Sequence, residues 1–362
     1  MKISEKIKAR KEKKANNSGA ITQQNIEESR EEIIAKGKKF KYPFQYAKHR
    51  LIINAILIGI VAIGAFAFVG WLQLYKAQNT GEVMYRFTRT LGLSVAEVDG
   101  VKVRFSDYLM LYRSSIASVE RQQGKFDDSE SSKQQMDYYK RQALSSAEDY
   151  AFAMAKLEEA GKSVTDEEID EIIEEHKIID GEKRSDEAFG GIIRDNFGLS
   201  VKEYRRLIML SLAKKKASVE FDKDAKKLVE EIATALTTNN NMEEVVKKYE
   251  GNDSIGYEIV EDVEFLNLDS GRAAMASKLQ NVGDISDYFV SKNGDGYYVV
   301  KLLGKSENKV SYASIWVRFK WLDDEMTKLR DDGKVVEKIN LNFDEKEEAE
   351  ADKEETAEKT EE

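Results

Sequence analysis

Groups able to act as nucleophiles or hold a metal are sparse in this chain. Its 362 residues include two histidines, His49 and His176, and no cysteine. Without thiols there is no disulfide, zinc–thiolate site, iron–sulfur cluster or cysteine nucleophile. Two isolated imidazoles support neither a multi-histidine metal centre nor a Ser-His-Asp arrangement. The acidic run from Asp166 to Glu175 lacks the alternating spacing of a calcium loop and reads as a solvated helix face. Gly294-Asp295-Gly296 is a turn rather than a phosphate cradle, because no glycine-rich stretch leads into Lys-Ser/Thr and a helix. No cofactor and no metal are expected, so any chemistry must come from tyrosines, carboxylates and the backbone.

The elements that would position such groups are framed by charge. The net charge of −10 is unevenly spread: residues 1–50 hold 14 Lys/Arg against 6 Asp/Glu, and residues 343–362 hold 3 Lys against 11 Asp/Glu. Basic charge confined to one end of an acidic chain argues against a nucleic-acid partner. From Leu51 to Leu72 only Asn54 is strongly polar. An apolar helix of this length, at about 1.5 Å per residue, spans a hydrocarbon core of roughly 30 Å. Tyr42, Phe44 and Tyr46 precede it, and Trp71 and Tyr75 stand at its far end, as interface aromatics do. Residues 36–50 carry six Lys/Arg and residues 73–87 carry two, which predicts a cytoplasmic N-terminus and an extracytoplasmic bulk. A cleaved signal peptide fits poorly, because about fifty residues precede the apolar run. The expected location is therefore the cell membrane, with a single pass through the lipid. Lys2 to Lys14 could lie on anionic lipid, although a solvated tail is the simpler expectation. Asp344 to Glu362 is low in complexity and reads as a disordered tail.

Beyond the apolar segment, Ser94 to Val98 and Val101 to Phe105 flank Asp99-Gly100, a hairpin signal. Ser106-Asp107 should cap a helix with Leu109, Tyr112, Ile116 and Val119 on one face. A long helix is predicted over Ser132 to Ala160, stopping at Gly161, and Thr165 with Glu168 forms a capping box for the next. Ser200 should cap a further helix carrying Tyr204, Leu207, Ile208 and Leu210. After about Lys216 the pattern changes. Helices over Asp224–Leu236 and Met242–Tyr249 give way to short apolar runs between glycines. Tyr297 to Leu302 and Val310 to Phe319 read as strands, Trp321 to Arg330 as a helix and Val335 to Leu341 as a closing strand. The fold class is α+β.

In their order, several of these segments resemble the extracytoplasmic foldases of the SurA, PrsA and PpiD type. They are Val95 to Gly100 with Ser106-Asp107-Tyr108, Ser163 to Ile169, Phe197 to Arg205, Val282 to Ser286, Gly296 to Leu302, and Trp321-Leu322 through Val335. Charge and hydropathy set off a basic cytoplasmic arm (1–50), a transmembrane helix (51–75) and the acidic tail (343–362); between them the resemblance implies a helical chaperone domain like the SurA N-terminal domain (76–216), a small parvulin-like α+β domain (217–320) and a C-terminal helix and strand returning to the body (321–342). It also implies prolyl-isomerase chemistry, in which parvulins use two histidines and an acidic or thiol group around the prolyl carbonyl. The histidine of an Ala-Ser-His-like strand is missing from both candidate segments, Ala217-Ser218-Val219 and Ala313-Ser314-Ile315. Gly296-Tyr297-Tyr298 stands where a Gly-Tyr-His strand would be. Tyr298 keeps one donor, and Asp253 is the candidate acidic group. A parvulin-like domain with little or no isomerase activity is the expectation, with an active isomerase as the rival.

Function would then rest on binding unfolded or nascent secreted polypeptides. The candidate client-binding surface is the helix pair bearing Tyr108, Leu111, Tyr112, Met136, Tyr138 and Tyr139. The translocation machinery is a further candidate partner, and a scaffold holding one fixed envelope partner is the reading from a different functional class.

Overall fold

The structure is a computed structural model. It describes residues 23–341 apart from 42, 180 and 268. The Lys2–Lys14 lipid contact and the disorder expected of the acidic tail both concern residues outside this range. The described chain forms two units, divided after Leu72.

The first unit is helical. Helix α1 (Gln23–Lys41) precedes α2 (Pro43–Trp71), and a π-helical turn, Leu72–Lys76, follows. One continuous stretch, His49–Lys76, is long and apolar enough to cross a membrane. Its apolar side chains from Leu51 to Val69 are exposed, as a helix solvated by lipid requires. The sequence reading left α1 within a tail.

The second unit mixes helices and strands. After α3 (Glu82–Leu91), strands β1 (Ser94–Val98) and β2 (Val101–Arg104) form the hairpin, with Asp99 and Gly100 at φ +47° and +84°. Two adjacent positive φ values are what a tight hairpin turn of matching twist needs, and Asp-Gly tolerates them. Then come α4 (Phe105–Gln123), α5 (Glu130–Glu159), α6 (Asp166–His176), a short ribbon of β3 (Ile178–Ile179) and β4 (Glu182–Lys183), α7 (Asp186–Phe197) and α8 (Val201–Phe221). Capping boxes start α6 at Thr165 with Glu168 and α8 at Ser200 with Glu203. Phe105, Tyr108, Leu109, Leu144, Phe152 and Leu210 anchor the helical core.

The chain next forms α9 (Lys223–Thr238), α10 (Met242–Lys247), β5 (Ile255–Glu264), α11 (Arg272–Ala276), β6 (Phe289–Val290), β7 (Gly296–Lys305) and β8 (Lys309–Arg318). The four strands make an antiparallel sheet in the order β5-β8-β7-β6. Alternation along β7 divides its residues between the faces. Tyr297 and Val299 pack with Val229 and Ile232 of α9, while Val300 and Leu302 pack with Ala273 and Ala276 of α11. Gly296 is obligatory on steric grounds, since a Cβ there would meet the Val317 carbonyl oxygen.

The last two elements go back to the helical body. Helix α12 (Trp321–Asp331) adds Leu322, Met326 and Leu329 to the first core, and β9 (Val335–Glu337) pairs antiparallel with β1. Asp222 ties this junction. One carboxylate oxygen accepts the Ala225 amide at 2.8 Å and caps α9; the other accepts the amides of Lys320 and Trp321 at 2.7 and 3.0 Å. Trp321 stacks on Phe221 with ring centroids 4.8 Å apart. Two ion pairs secure α12 and β9 to α5, Arg330 with Glu148 and Arg141 with Glu337.

Replacing Asp222 by Ala should remove a cap worth about 1 kcal/mol and orphan two further amides at about 1 kcal/mol or more each. A lower urea midpoint, with hydrogen exchange accelerated at residues 320–331, is the expected result. Glu148 is 1% exposed, and one of its carboxylate oxygens has no hydrogen-bond partner. Burial, reinforced by Glu337, pushes its pKa up to about 7, against the pull of Arg330. An acid with a raised folded pKa favours folding at low pH, and that contribution is lost as pH rises through about 7. Glu148→Gln should leave stability at about pH 4 nearly unchanged and raise it at about pH 8 by about 3 kcal/mol, as read from denaturant midpoints at the two pH values.

Candidate functional site

Helices α4 and α5 pack side by side and give the client-binding candidates unequal positions. Tyr108 and Tyr112, one helical turn apart, lie on the inward stripe of α4 and are 1% and 6% exposed. The Tyr108 ring meets Phe105 edge-on at 5.7 Å, and its hydroxyl is buried without a hydrogen-bond partner. Burial, with Asp137 nearby, holds the Tyr112 hydroxyl up at about 12. These two tyrosines are core residues, which corrects the expectation of a single exposed six-residue surface. Leu111, Met136, Tyr138 and Tyr139 are half-buried. Tyr138 and Tyr139 meet edge-to-face at 5.4 Å, and Leu111 and Tyr139 pack onto the margin of the core. The accessible aromatic seam is therefore these four. The structure also exposes Val83, Leu91, Ile178, Leu266 and Val282. They are scattered singly, and no periodic signal in the sequence marks them.

In the sheet, Tyr298 and Asp253 are not brought together. Asp253 is exposed in the turn ahead of β5, whereas Tyr298 lies on β7, with β8 between the two strands. The carboxylate beside Tyr298 is that of Asp295, which accepts its hydroxyl proton at 3.1 Å. Burial first, then Asp295, raises the Tyr298 pKa, so the group is a hydrogen-bond donor and not an acid at neutral pH. Ala217 and Ser218 belong to helix α8, which removes that segment as a strand. Ala313-Ser314-Ile315 lies on β8, the strand beside Tyr298. Ile315 faces α9 and α10, while Ser314, opposite Val300, shares the face of Tyr298.

That face holds a polar network the sequence did not reveal. Arg272 contacts Glu258, donates to Ser314 Oγ at 3.3 Å and lies 5.3 Å from the Tyr298 ring centroid and 5.9 Å from that of Tyr312. Tyr312 donates to Asp269 Oδ2 at 2.7 Å, and the Ala273 amide donates to the same oxygen at 2.9 Å. Asn293 donates to Ser270 Oγ at 3.0 Å. These residues come from five segments, so no local spacing could announce them. The network supplies fixed donors and a guanidinium on an apolar face, and it contains no imidazole. His176 sits in the helical body, 2.9 Å from the Tyr204 hydroxyl, with its pKa lowered mainly by burial.

Comparison with known protein families finds a match for the helical half alone. Residues 44–218 match the SurA-like N-terminal domain. The match supports the SurA/PrsA/PpiD-type chaperone family and spans just under half of the chain. It runs from the apolar helix through α8, whereas the sequence reading begins the helical domain at residue 76. No curated protein and no solved structure matches the chain. A chaperone-like role and an unfolded-protein type of partner fit this domain, and the apolar helix fits a membrane-anchored protein.

A photo-crosslinking residue at Tyr138 in the full chain is expected to trap an unfolded polypeptide, whereas the same residue at Tyr112 should trap none. Tyr112→Ala should instead cost about 3–5 kcal/mol of stability, measured by urea denaturation. Equal client crosslinking from both positions would rule out the half-buried seam.

Proposed function

We propose that this chain is a membrane-anchored extracytoplasmic chaperone that holds unfolded or newly translocated polypeptides, and that its sheet domain is parvulin-like without the histidines. The observation carrying this reading is the SurA-like match over residues 44–218, whose helices α4 and α5 also present the half-buried aromatic seam. Four apolar and aromatic groups at the edge of a strongly charged body suit weak, sequence-tolerant capture of an extended segment. Anchoring would raise the effective concentration of such a surface for chains emerging at the same membrane. The positive-inside bias supports a cytoplasmic N-terminus.

The sheet domain contributes positioning rather than chemistry in this reading. Rotation about an X–Pro bond faces a barrier of about 18–20 kcal/mol. Lowering it calls for donors arranged around the twisting amide. Arg272 is engaged by Glu258, Ser314 and the Asp269 carbonyl, and the Tyr298 hydroxyl by Asp295, so both groups already serve the fold.

The test pairs two measurements on the full chain in lipid nanodiscs. Aggregation of a chemically unfolded client should be suppressed, and Tyr138→Ser with Tyr139→Ser should reduce that suppression. A protease-coupled assay on an X–Pro peptide should show only the uncatalysed relaxation, which takes roughly 10–100 s. Acceleration that falls on Tyr298→Phe would make the protein an isomerase. Absence of suppression, with a single stoichiometric partner recovered, would make it a scaffold.

A further inference from the structure

A cleft of about 560 Å³ opens in the helical body where the end of α3 meets the starts of α4 and α8. Arg89, Arg104, Lys202 and Arg206 line it, together with Asp107 and Glu203. Both carboxylates are already engaged. Arg206 holds Asp107 through two bonds of 3.1 and 2.6 Å. Glu203 accepts the Ser200 amide and hydroxyl at 2.7 and 2.5 Å and lies 3.6 Å from Arg113. Arg89, Arg104 and Lys202 are exposed and make no ion pair among the described residues. The cleft is thus a concave site with surplus positive charge on a chain whose net charge is −10. The amides that begin α4 and α8 add to the positive potential there.

We propose that this cleft is an anion-binding site for acidic peptide segments and that its occupant is the chain's own acidic segment, residues 343–362. Charge complementarity is the first support, with 11 Asp/Glu against 3 Lys in that segment. The second is where the described chain ends. The Lys338 amide bonds to the Val95 carbonyl on β1, and Gln78 bonds to the Asn340 carbonyl at 2.6 Å. Ser94, at the start of β1, is the register partner of Arg104 on β2. Lys338 therefore lies about two strand spacings, roughly 10 Å, from Arg104 in one wall of the cleft. Twenty-one residues beyond Leu341 reach up to about 70 Å when extended. Both partners follow the apolar helix in sequence, so they share one side of the membrane whichever way the helix is oriented. An acidic segment of another polypeptide would have to displace this occupant, which makes the cleft selective for ligands more acidic or more concentrated than the tether allows.

The absence of native cysteine gives a direct test. Glu354→Cys in the full chain, in nanodiscs of neutral lipid, carries a benzophenone label as the only thiol adduct. Crosslinks are expected within the chain, to residues 85–110 and 202–206. They should fall roughly tenfold with Arg89→Glu plus Lys202→Glu, and similarly in about 0.5 M salt, where the screening length is only a few ångströms. Both positions are exposed, so the fold should tolerate the reversals; Arg89→Gln plus Lys202→Gln is the milder pair and should give an intermediate loss. Crosslinks that go to residues 1–50, to lipid or to other chains overturn the proposal. So does an unchanged cleft crosslink in the reversed variants, or no crosslink at all.

Discussion

A single buried carboxylate sets the geometry of the second unit. Asp222 sits where α8 ends and α9 begins, and it accepts hydrogen bonds from both the start of α9 and the start of α12. The sheet domain is an excursion of nearly a hundred residues between those two points, so its entry and exit are fastened to one side chain. Phe221 and Trp321 stack across the same junction, and Phe152 lies on the far side of Trp321 with centroids 6.2 Å apart. A carboxylate can make this joint because its two oxygens each take amide donors, three in all; an amide or hydroxyl side chain offers fewer acceptor sites in that space. With the joint closed, α12 and β9 are aimed back along α5 and β1, where Arg141 and Arg330 complete the attachment.

The same economy appears in the sheet. One face is covered by α9 and α10 and is apolar. The other carries a short helix, α11, and the Arg272 network. Arg272 is placed by its own helix start and lies against Glu258, Ser314 and two tyrosine rings, so the guanidinium substitutes for apolar cover over the middle of β7 and β8. Burying such a group requires partners for its donors, and Glu258, Ser314 and the Asp269 carbonyl supply three of them. The network is held together from several strands, yet Asp269 Oδ1 is buried in it without a hydrogen-bond partner.

Much of the local structure was readable in advance because it rests on local chemistry. Asp99-Gly100 marked the hairpin, Thr165 with Glu168 and Ser200 marked helix starts, and the apolar run from Leu51 marked the membrane-length helix. What escaped was decided by distant partners. Tyr108 and Tyr112 occupy an amphipathic stripe, and nothing within α4 says that α5 and the hairpin enclose it so fully. Helix α3, with exposed Val83 and Leu91, has no strong local stop until Gly92 adopts φ +62°. Ala217-Ser218 reads equally well as a strand, but the preceding three turns of α8 carry the helix through it. The family resemblance pairs Asp253 with Tyr298; only the strand order shows β8 standing between them, with Asp295 as the carboxylate beside Tyr298.

The pairing of β9 with β1 has a consequence for biosynthesis. Leu322, Met326, Leu329 and Ile339 belong to the same core as Val95 and Leu109, yet more than two hundred residues separate them. While the sheet domain is being made, the helical body stands with an edge strand unpaired and a flank of its core uncovered. Loop closure over such a distance is slow relative to local folding. A ribosome-bound chain that has emerged up to residue 320 is therefore a partly open molecule, itself in need of the protection that chaperones give. Completion comes as one late event, when the last helix and strand dock, so truncations between Trp321 and Leu341 should be read as lesions of the N-terminal core.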